Sequence, residues 1–410
     1  MKQGAPLTIV NARFIGPEQT QIGAVRLADG KIAAVGDIEP QDGDETFDAK
    51  GRIAAPGLID CGVFAVDKPA FHFGGITRAA LMPDQAPPLD LPSRVSYIAK
   101  SGKPDLWVHP LAAATRDLGG RDIAELALMR EAGARGVATG RRWIGDSGTM
   151  LRLLQYAAML DLPVFAHAED AGLTGEAVAT AGEYATRSGL PSAPAEAEAI
   201  AIARDLALTR MAGAHIHFRQ VTTREGLALV RRAKATGERV TAGVTPAYFM
   251  LSDLATADFR TFARLSPPLR CEDDRHAVRE AIADGTIDIV PSGHDPRGPE
   301  DKRLPFADAA PGMAGAETLL ALVLGLVRDE VIDMARAFDL LASAPARLLR
   351  VPAGRLEAGY EADIVLIDPD KPWIVQSAKM EAQAGNTPFD GQPMQGRVTA
   401  VYKGGIRVGL

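Results

Sequence analysis

Only two cysteines, Cys61 and Cys271, occur in 410 residues, far apart in the chain. Two isolated thiols suit a reducing compartment more than a disulfide scaffold. Aromatic residues are scarce at 5%, so a core must be assembled mainly from Ala, Leu, Val and Ile. Long apolar runs are missing as well. The longest, "LLALVLGLV" from Leu319 to Val327, falls far short of the roughly 20 residues that a membrane-spanning helix needs. Positive charge is not in excess: Lys and Arg total 45 against 52 Asp and Glu, a net charge of −7. That balance argues against binding a nucleic-acid backbone. The opening "MKQGAPLTIV" lacks the basic-then-apolar pattern of a secretory leader. These absences leave the expectation of a cytoplasmic, mostly α/β protein with neither membrane nor nucleic acid as partner. Its length accommodates one large domain, or a barrel with a smaller module.

What is present falls into three zones. The N-terminal stretch reads as short strands, with Asp29-Gly30 between two alternating apolar runs as a hairpin turn. The C-terminal stretch reads the same way, with "ADIVLIDPD" and "GRVTAVYKGGIRVGL", the latter turning at Lys403-Gly404-Gly405. Chain ends often lie close together, so the two stretches can share one small sheet.

Between them, buried-type strands alternate with amphipathic helices. The strands are "LIDCGVFA", "ITRAALM", "DLWVHPLA", "ARGVAT", "LPVFAHA", "AHIHFRQV", "RVTAGVT" and "IDIVPSG". Helical patterns, such as Arg121 to Gly133, follow most of them, several closed by glycine. This alternation predicts a (β/α)8 TIM-type barrel over residues 57–348, flanked by the two parts of a β-sandwich domain, 1–56 and 349–410. Only "VDKPAFHFGG" separates the first two strands. A parallel crossover usually holds a helix, and a Pro- and Gly-containing segment this short predicts that the first helix is missing. An uncovered flank would then serve association with a partner or a second copy.

Several segments together resemble the dihydroorotase and allantoinase branch of the cyclic amidohydrolases: "APGLID", "GGITRAALMPD", "LPVFAHAED", "SPPLR", "PGMAGAETLL", "GRLEAGYEADIVLID" and "NTPFDGQPMQGRV", in this order along nearly the whole chain. The resemblance implies a barrel joined to a small β-sandwich, with metals at the C-terminal mouth of the barrel.

The metal ligands that the resemblance implies are mostly absent. A His-x-His pair at the end of the first strand corresponds to Gly62 and Phe64. Residues i and i+2 of a strand point the same way, which is how such a pair would reach one metal. The carboxylated lysine or aspartate after the fourth strand corresponds to Gly140 or Arg141, and an arginine cannot be deprotonated to bind a cation. His167 survives on the fifth strand; the sixth-strand ligand corresponds to Gln220. The catalytic aspartate corresponds to Gly293, and the last histidine of that segment to Arg297. The substrate-binding arginine and asparagine correspond to Val66 and Asp84.

Other polar residues carry weaker signals. His215, His217, His294 and Asp295 are candidates for a rebuilt metal site, weighed against histidines that merely satisfy a strand end. Arg141, Arg142 and Arg297 are candidates for anion binding, or, with Asp84 or Asp146, for a plug across the old mouth. Cys61, alternating with the lost histidine places, is expected to face away from the mouth. The resulting expectation is a chain without catalysis, cofactor or bound metal. It resembles the inactive dihydroorotase-like subunits that accompany aspartate carbamoyltransferase and serve its assembly. The alternatives are a zinc-dependent cyclic amidohydrolase with a reduced site, and an anion-binding sensor.

Overall fold

The computed structural model describes residues 5–15 and 22–409. Seven strands, Leu58–Val63, Ile76–Leu81, Trp107–Ala113, Gly136–Ala138, Val164–Ala166, Ile216–Phe218 and Val240–Ala242, lie side by side in chain order, each parallel to the next. The eighth expected strand is an extended segment rather than a full one. On one side Ile289 bridges to Gly243; on the other the Phe64 amide donates to the His294 carbonyl at 2.9 Å, and the buried Asp60 carboxylate accepts from the Ser292 amide at 2.9 Å. Pro291 lacks an amide donor and Gly293 sits at φ +64°, so the ladder cannot run on regularly. The sheet nonetheless closes into a barrel.

A helix does connect the first two strands, at Lys68–Gly74, contrary to the sequence expectation. Pro69 lies in the first turn, where its missing N–H forfeits no intrahelical bond, and Gly75 ends the helix at φ 80°. Proline and glycine here mark the two ends of a short helix and do not break it. Ala70, Phe71 and Gly74 are buried, and the C-terminal strands pack alongside, so this flank is covered. The helix expected over Arg121–Gly133 is only Leu126–Glu131, because Ile123 instead bridges back to Thr115.

Side chains of the barrel strands form two layers. Ile59, Cys61, Ala80, Met82, Leu111, Ala138, Phe165 and Ile289 fill the interior, closed at one end by Ala344, Leu348 and Leu349 of the helix Ala344–Leu349. Leu58, Ala79, Leu81, Val108, Val164 and Ile216 join the larger core that includes the surrounding helices. Cys61 therefore faces inward, not away. The alternation breaks at Gly62, at φ 101°, where the register against the second strand shifts, so Cys61 and the mouth residues beyond the bulge share the inner side. Burial pushes the Cys61 thiol pKa well up, leaving an inert apolar filler.

The two termini build one continuous eight-stranded mixed sheet, not two separate sandwich layers. Strand Ile53–Pro56 from the N-terminal part pairs with Ile364–Ile374 from the C-terminal part. One face folds over on itself through Ile9, Val25, Leu27, Ile32, Ile364, Leu366 and Tyr402. Val365 and Ile367, with their cross-strand partners Val401 and Val398, turn to the barrel side. A buried ionic latch joins the two units. Arg78 of the second barrel strand is wholly buried, donates to Asp363 at 2.9 Å and pairs with Glu361, while Lys403 donates to the same Asp363 at 2.8 Å. Trp107 lies beneath both cations, 4.4 Å from the Arg78 guanidinium and 4.2 Å from the Lys403 ammonium.

Candidate site at the barrel mouth

The C-terminal ends of parallel barrel strands converge on one face, and the residues just beyond them meet there. Phe64 follows the first strand, Arg141 the fourth, His167 the fifth, Arg219 and Gln220 the sixth, Thr245 the seventh, and Gly293 to Arg297 the eighth segment. At the centre the Arg141 guanidinium lies 3.6 Å from the centroid of the Phe64 ring, and that of Arg219 lies 5.3 Å away. Arg141 also pairs with Asp295 at 2.8 Å, and Arg297 reaches the same Asp295 oxygen at 3.2 Å. The Arg141 amide donates to Asp84 at 2.9 Å, which fixes the loop that delivers the guanidinium.

His167 has both ring nitrogens occupied. Arg219 donates to Nδ1 at 3.2 Å, so Nε2 carries the proton and faces Glu169 at 3.4 Å. Glu169 in turn receives Arg270 at 2.9 Å. Burial works to raise the Glu169 pKa, but the His167 hydrogen bond and the Arg270 charge outweigh it and hold the carboxyl at about 2. Behind it, Glu198 accepts from the amides and hydroxyls of Thr222 and Thr223. The sequence reading missed Arg219. Its only signal was an arginine at the end of an otherwise apolar strand, and its burial (7% exposed) depends on residues far away in the chain. Burial, and the neighbouring Arg141 charge, lower its pKa.

Two of the places corresponding to lost ligands have been closed by their neighbours, whereas a Cβ on Gly62 would meet nothing nearer than Arg219 at 3.8 Å. A Cβ on Gly293 would lie 2.7 Å from Thr245 Cγ2, and one on Gly140 2.8 Å from Asp84 Oδ1, with both glycines at positive φ. Gln220 is consumed by Thr245, donating to its hydroxyl at 2.9 Å and accepting from its amide at 3.0 Å. The free space among Phe64, Arg141, Arg219, Gln220, Gly293 and Asp295 is only about 40 Å³. Val66 lies beyond this centre, its carbonyl accepting from Gln383 at 3.2 Å.

The other candidate histidines go elsewhere. His215 precedes the sixth strand at the opposite end of the barrel, and His217 lies within it, buried against Phe165; both reach the Thr241 hydroxyl, at 3.2 and 3.0 Å. Burial lowers the pKa of both, that of His215 to about 4. His294 is buried behind the first strand, with Nε2 3.4 Å from Asp67 and its ring edge-on to Phe71. Of the rebuilt-site candidates only Asp295 stands at the mouth, tied to two arginines.

These residues do not fit a divalent cation. Two guanidinium groups and a phenyl ring stand where ligands would be needed, the one histidine present has no free lone pair, and among the described residues no three His, Cys, Asp or Glu side chains come together.

Beside the closed centre opens a larger cavity of about 560 Å³, lined by Arg141, Arg142, Trp143, Glu169, Arg264 and Ser266 among others. Arg297 opens instead on a third cavity, with Lys302 and Phe259.

Residues 111–408 match the model of the amidohydrolase family. The chain is 36% identical to a dihydroorotase of Syntrophotalea carbinolica over 411 residues, covering 95% of this chain and 96% of that one. A dihydroorotase of Pelotomaculum thermopropionicum is 38% identical over 396 residues, covering 93% and 92%. Among solved structures, the L-hydantoinase (dihydropyrimidinase) from Arthrobacter aurescens superposes with a TM-score of 0.87 at 22% identity, covering 98% of this chain and 96% of that one.

Proposed function

The chain belongs to the amidohydrolase family, and we propose that it is a dihydroorotase-like member of pyrimidine biosynthesis, acting as a non-catalytic companion of the aspartate carbamoyltransferase catalytic chain. One observation carries the non-catalytic half: Arg141 and Arg219 enclose Phe64 where metal ligands are required. Opening or closing a cyclic amide calls for a polarised carbonyl and an activated water, together with a carboxylate that moves a proton. Asp295, the carboxylate at hand, is held between Arg141 and Arg297. The companion half rests on the sequence resemblance and on a frame kept intact, with a filled barrel interior and a satisfied Glu169–Arg270–Glu198 network. Co-expression with the transcarbamoylase catalytic chain, followed by size-exclusion chromatography with light scattering, is expected to give a stoichiometric complex. Separate elution at micromolar concentrations overturns the companion role.

A second reading is favoured by the 35–38% identity over almost the full chain to proteins named dihydroorotase. On it the chain is a metal-dependent cyclic amidohydrolase whose centre is rebuilt by rearrangement of the mouth. Zinc content by plasma mass spectrometry and hydrolysis of dihydroorotate by zinc-supplied protein separate the two. About one equivalent of zinc, with turnover that His167→Ala abolishes, would establish the enzyme and sink the non-catalytic reading.

A further inference from the structure

We propose that the 560 Å³ cavity beside the closed centre is a binding site for a compact dianion of the sulfate or phosphate type. Arg141, Arg142 and Arg264 all line it, and they arrive from two separate loops. Their charges are not equivalent. Arg141 is compensated by Asp295 at 2.8 Å. Arg142 forms no ion pair among the described residues, and Arg264 donates only to the neighbouring Leu265 carbonyl, at 2.9 Å, leaving its buried Nε without a partner. Arg219, 93% buried just behind, likewise has an Nε that meets no acceptor. Arg142 is exposed to water, but a half-buried guanidinium such as that of Arg264, with Nε unpaired, is costly unless an anion completes it.

The carboxylates of the lining do not supply that anion. Glu169 is engaged by Arg270 and His167, and Glu176 stands exposed at the rim. Arg264, with its orphaned Nε, and Arg142 therefore face one space that no lining carboxylate closes by direct contact, which favours an anionic ligand. Guanidinium forks carried on two separate loops, with Ser266 also in the lining, match a tetrahedral oxyanion better than a lone carboxylate.

The wall is also rigid. Trp143 is clamped between Arg204, whose guanidinium lies 3.8 Å from its ring, and Asp205, which accepts from its indole N–H at 3.1 Å. With Arg141 fixed through Asp84 on the other side, the backbone that carries Arg142 is held at both neighbours. Little ordering is left for a ligand to impose. The sequence reading grouped Arg297 with Arg141 and Arg142; the cavity replaces it with Arg264.

The test uses this chain alone, so its outcome is separate from that of the companion role. Isothermal titration with sulfate and with inorganic phosphate is compared with acetate at matched ionic strength, for the wild type, Arg142→Gln and Arg264→Gln. Saturable binding of both dianions, absent for acetate and weakened at least about tenfold in each variant, is expected. Arg142 is exposed, so its variant leaves the fold intact and carries the test if Arg264→Gln fails to fold. Absence of saturable binding overturns the assignment. So does equal stabilisation of wild type and variants in thermal melts, which would reflect general exclusion of sulfate from protein surfaces.

Discussion

Arg219 donates to His167 across 3.2 Å, and that one bond takes up the Nδ1 lone pair of the surviving histidine. The two residues lie on adjacent barrel strands, which brings them together whatever else the mouth contains. Loss of the other ligands and occupation of this one thus act in the same direction.

Restoring ligands one at a time is therefore expected to fail. Gly293→Asp places a Cβ 2.7 Å from Thr245 Cγ2 on a backbone at φ +64°. Such overpacking and strain cost about 1–3 kcal/mol each. Urea denaturation should show a loss of at least about 2 kcal/mol, and the protein should bind no more zinc than the wild type. A stable Gly293→Asp variant that takes up a full equivalent of zinc would show that the mouth is less closed than its geometry indicates.

Arg219 and Arg270 should respond differently to the same substitution. Arg219 is buried with an unpartnered Nε and no carboxylate in direct contact among the described residues, so Arg219→Met removes an uncompensated charge, offset by loss of its hydrogen bond to His167, and should change stability by no more than about 1 kcal/mol. Arg270 sits between Glu169 at 2.9 Å and Glu198 at 3.5 Å, and Arg270→Met strands both. Removing one partner of such a set costs about 3–5 kcal/mol. Chemical denaturation of the two variants decides the matter, and equal losses would contradict it.

The stability of the fold should carry a pH signature from Glu317. Burial raises its pKa to about 7, assisted by the charges of Glu381 and Asp67 and opposed by the Ala382 amide it accepts from. The folded state thus holds this proton more tightly than the unfolded chain. Its contribution is complete below the unfolded value of about 4.3 and is lost as pH rises through 7. Glu317→Gln keeps the acceptor and removes the titration, so the wild type should lose up to about 3 kcal/mol relative to it between pH 4.5 and pH 8. His215 works in a lower window with the opposite sense: its pKa is lowered to about 4, so its contribution falls as pH drops below about 6.5. Identical pH–stability curves for the wild type and Glu317→Gln would remove the assignment.

How far the sequence reveals all this depends on the range of the interaction concerned. Strand positions were legible because alternation and turn residues are local: Asp29-Gly30 and Gly404-Gly405 do join antiparallel strands. The two termini do share a sheet, through Ile53–Pro56 and Ile364–Ile374. The helix Lys68–Gly74 is not legible from residue type alone, because Pro and Gly in so short a segment read as breakers, whereas their positions at its two ends make them start and stop signals. The inward turn of Cys61 was missed because a single bulge at Gly62 reverses the parity of the residues beyond it. Arg219 was invisible for a different reason. Its setting is defined by Phe64, Arg141 and His167 on other strands, and no local pattern encodes those contacts.

The latch between barrel and terminal sheet offers the clearest single-site test of how the two units depend on each other. Asp363 accepts from Arg78 at 2.9 Å, from Lys403 at 2.8 Å and from the Gly404 amide at 3.1 Å, and the side chains of Asp363, Arg78 and Lys403 are nearly inaccessible. Burial alone would favour neutral Lys403, and the attached carboxylate counters that. Asp363→Ala leaves two cations over one Trp107 ring with only Glu361 between them. The expected cost is about 3–5 kcal/mol, concentrated where strand Ile76–Leu81 meets the C-terminal hairpin. Hydrogen exchange should then show faster exchange in strands Ile364–Ile374 and Pro393–Lys403 than in the barrel interior. A uniform loss of protection across both units would instead mean that barrel and sheet unfold as one, with the latch as only one of many contacts joining them.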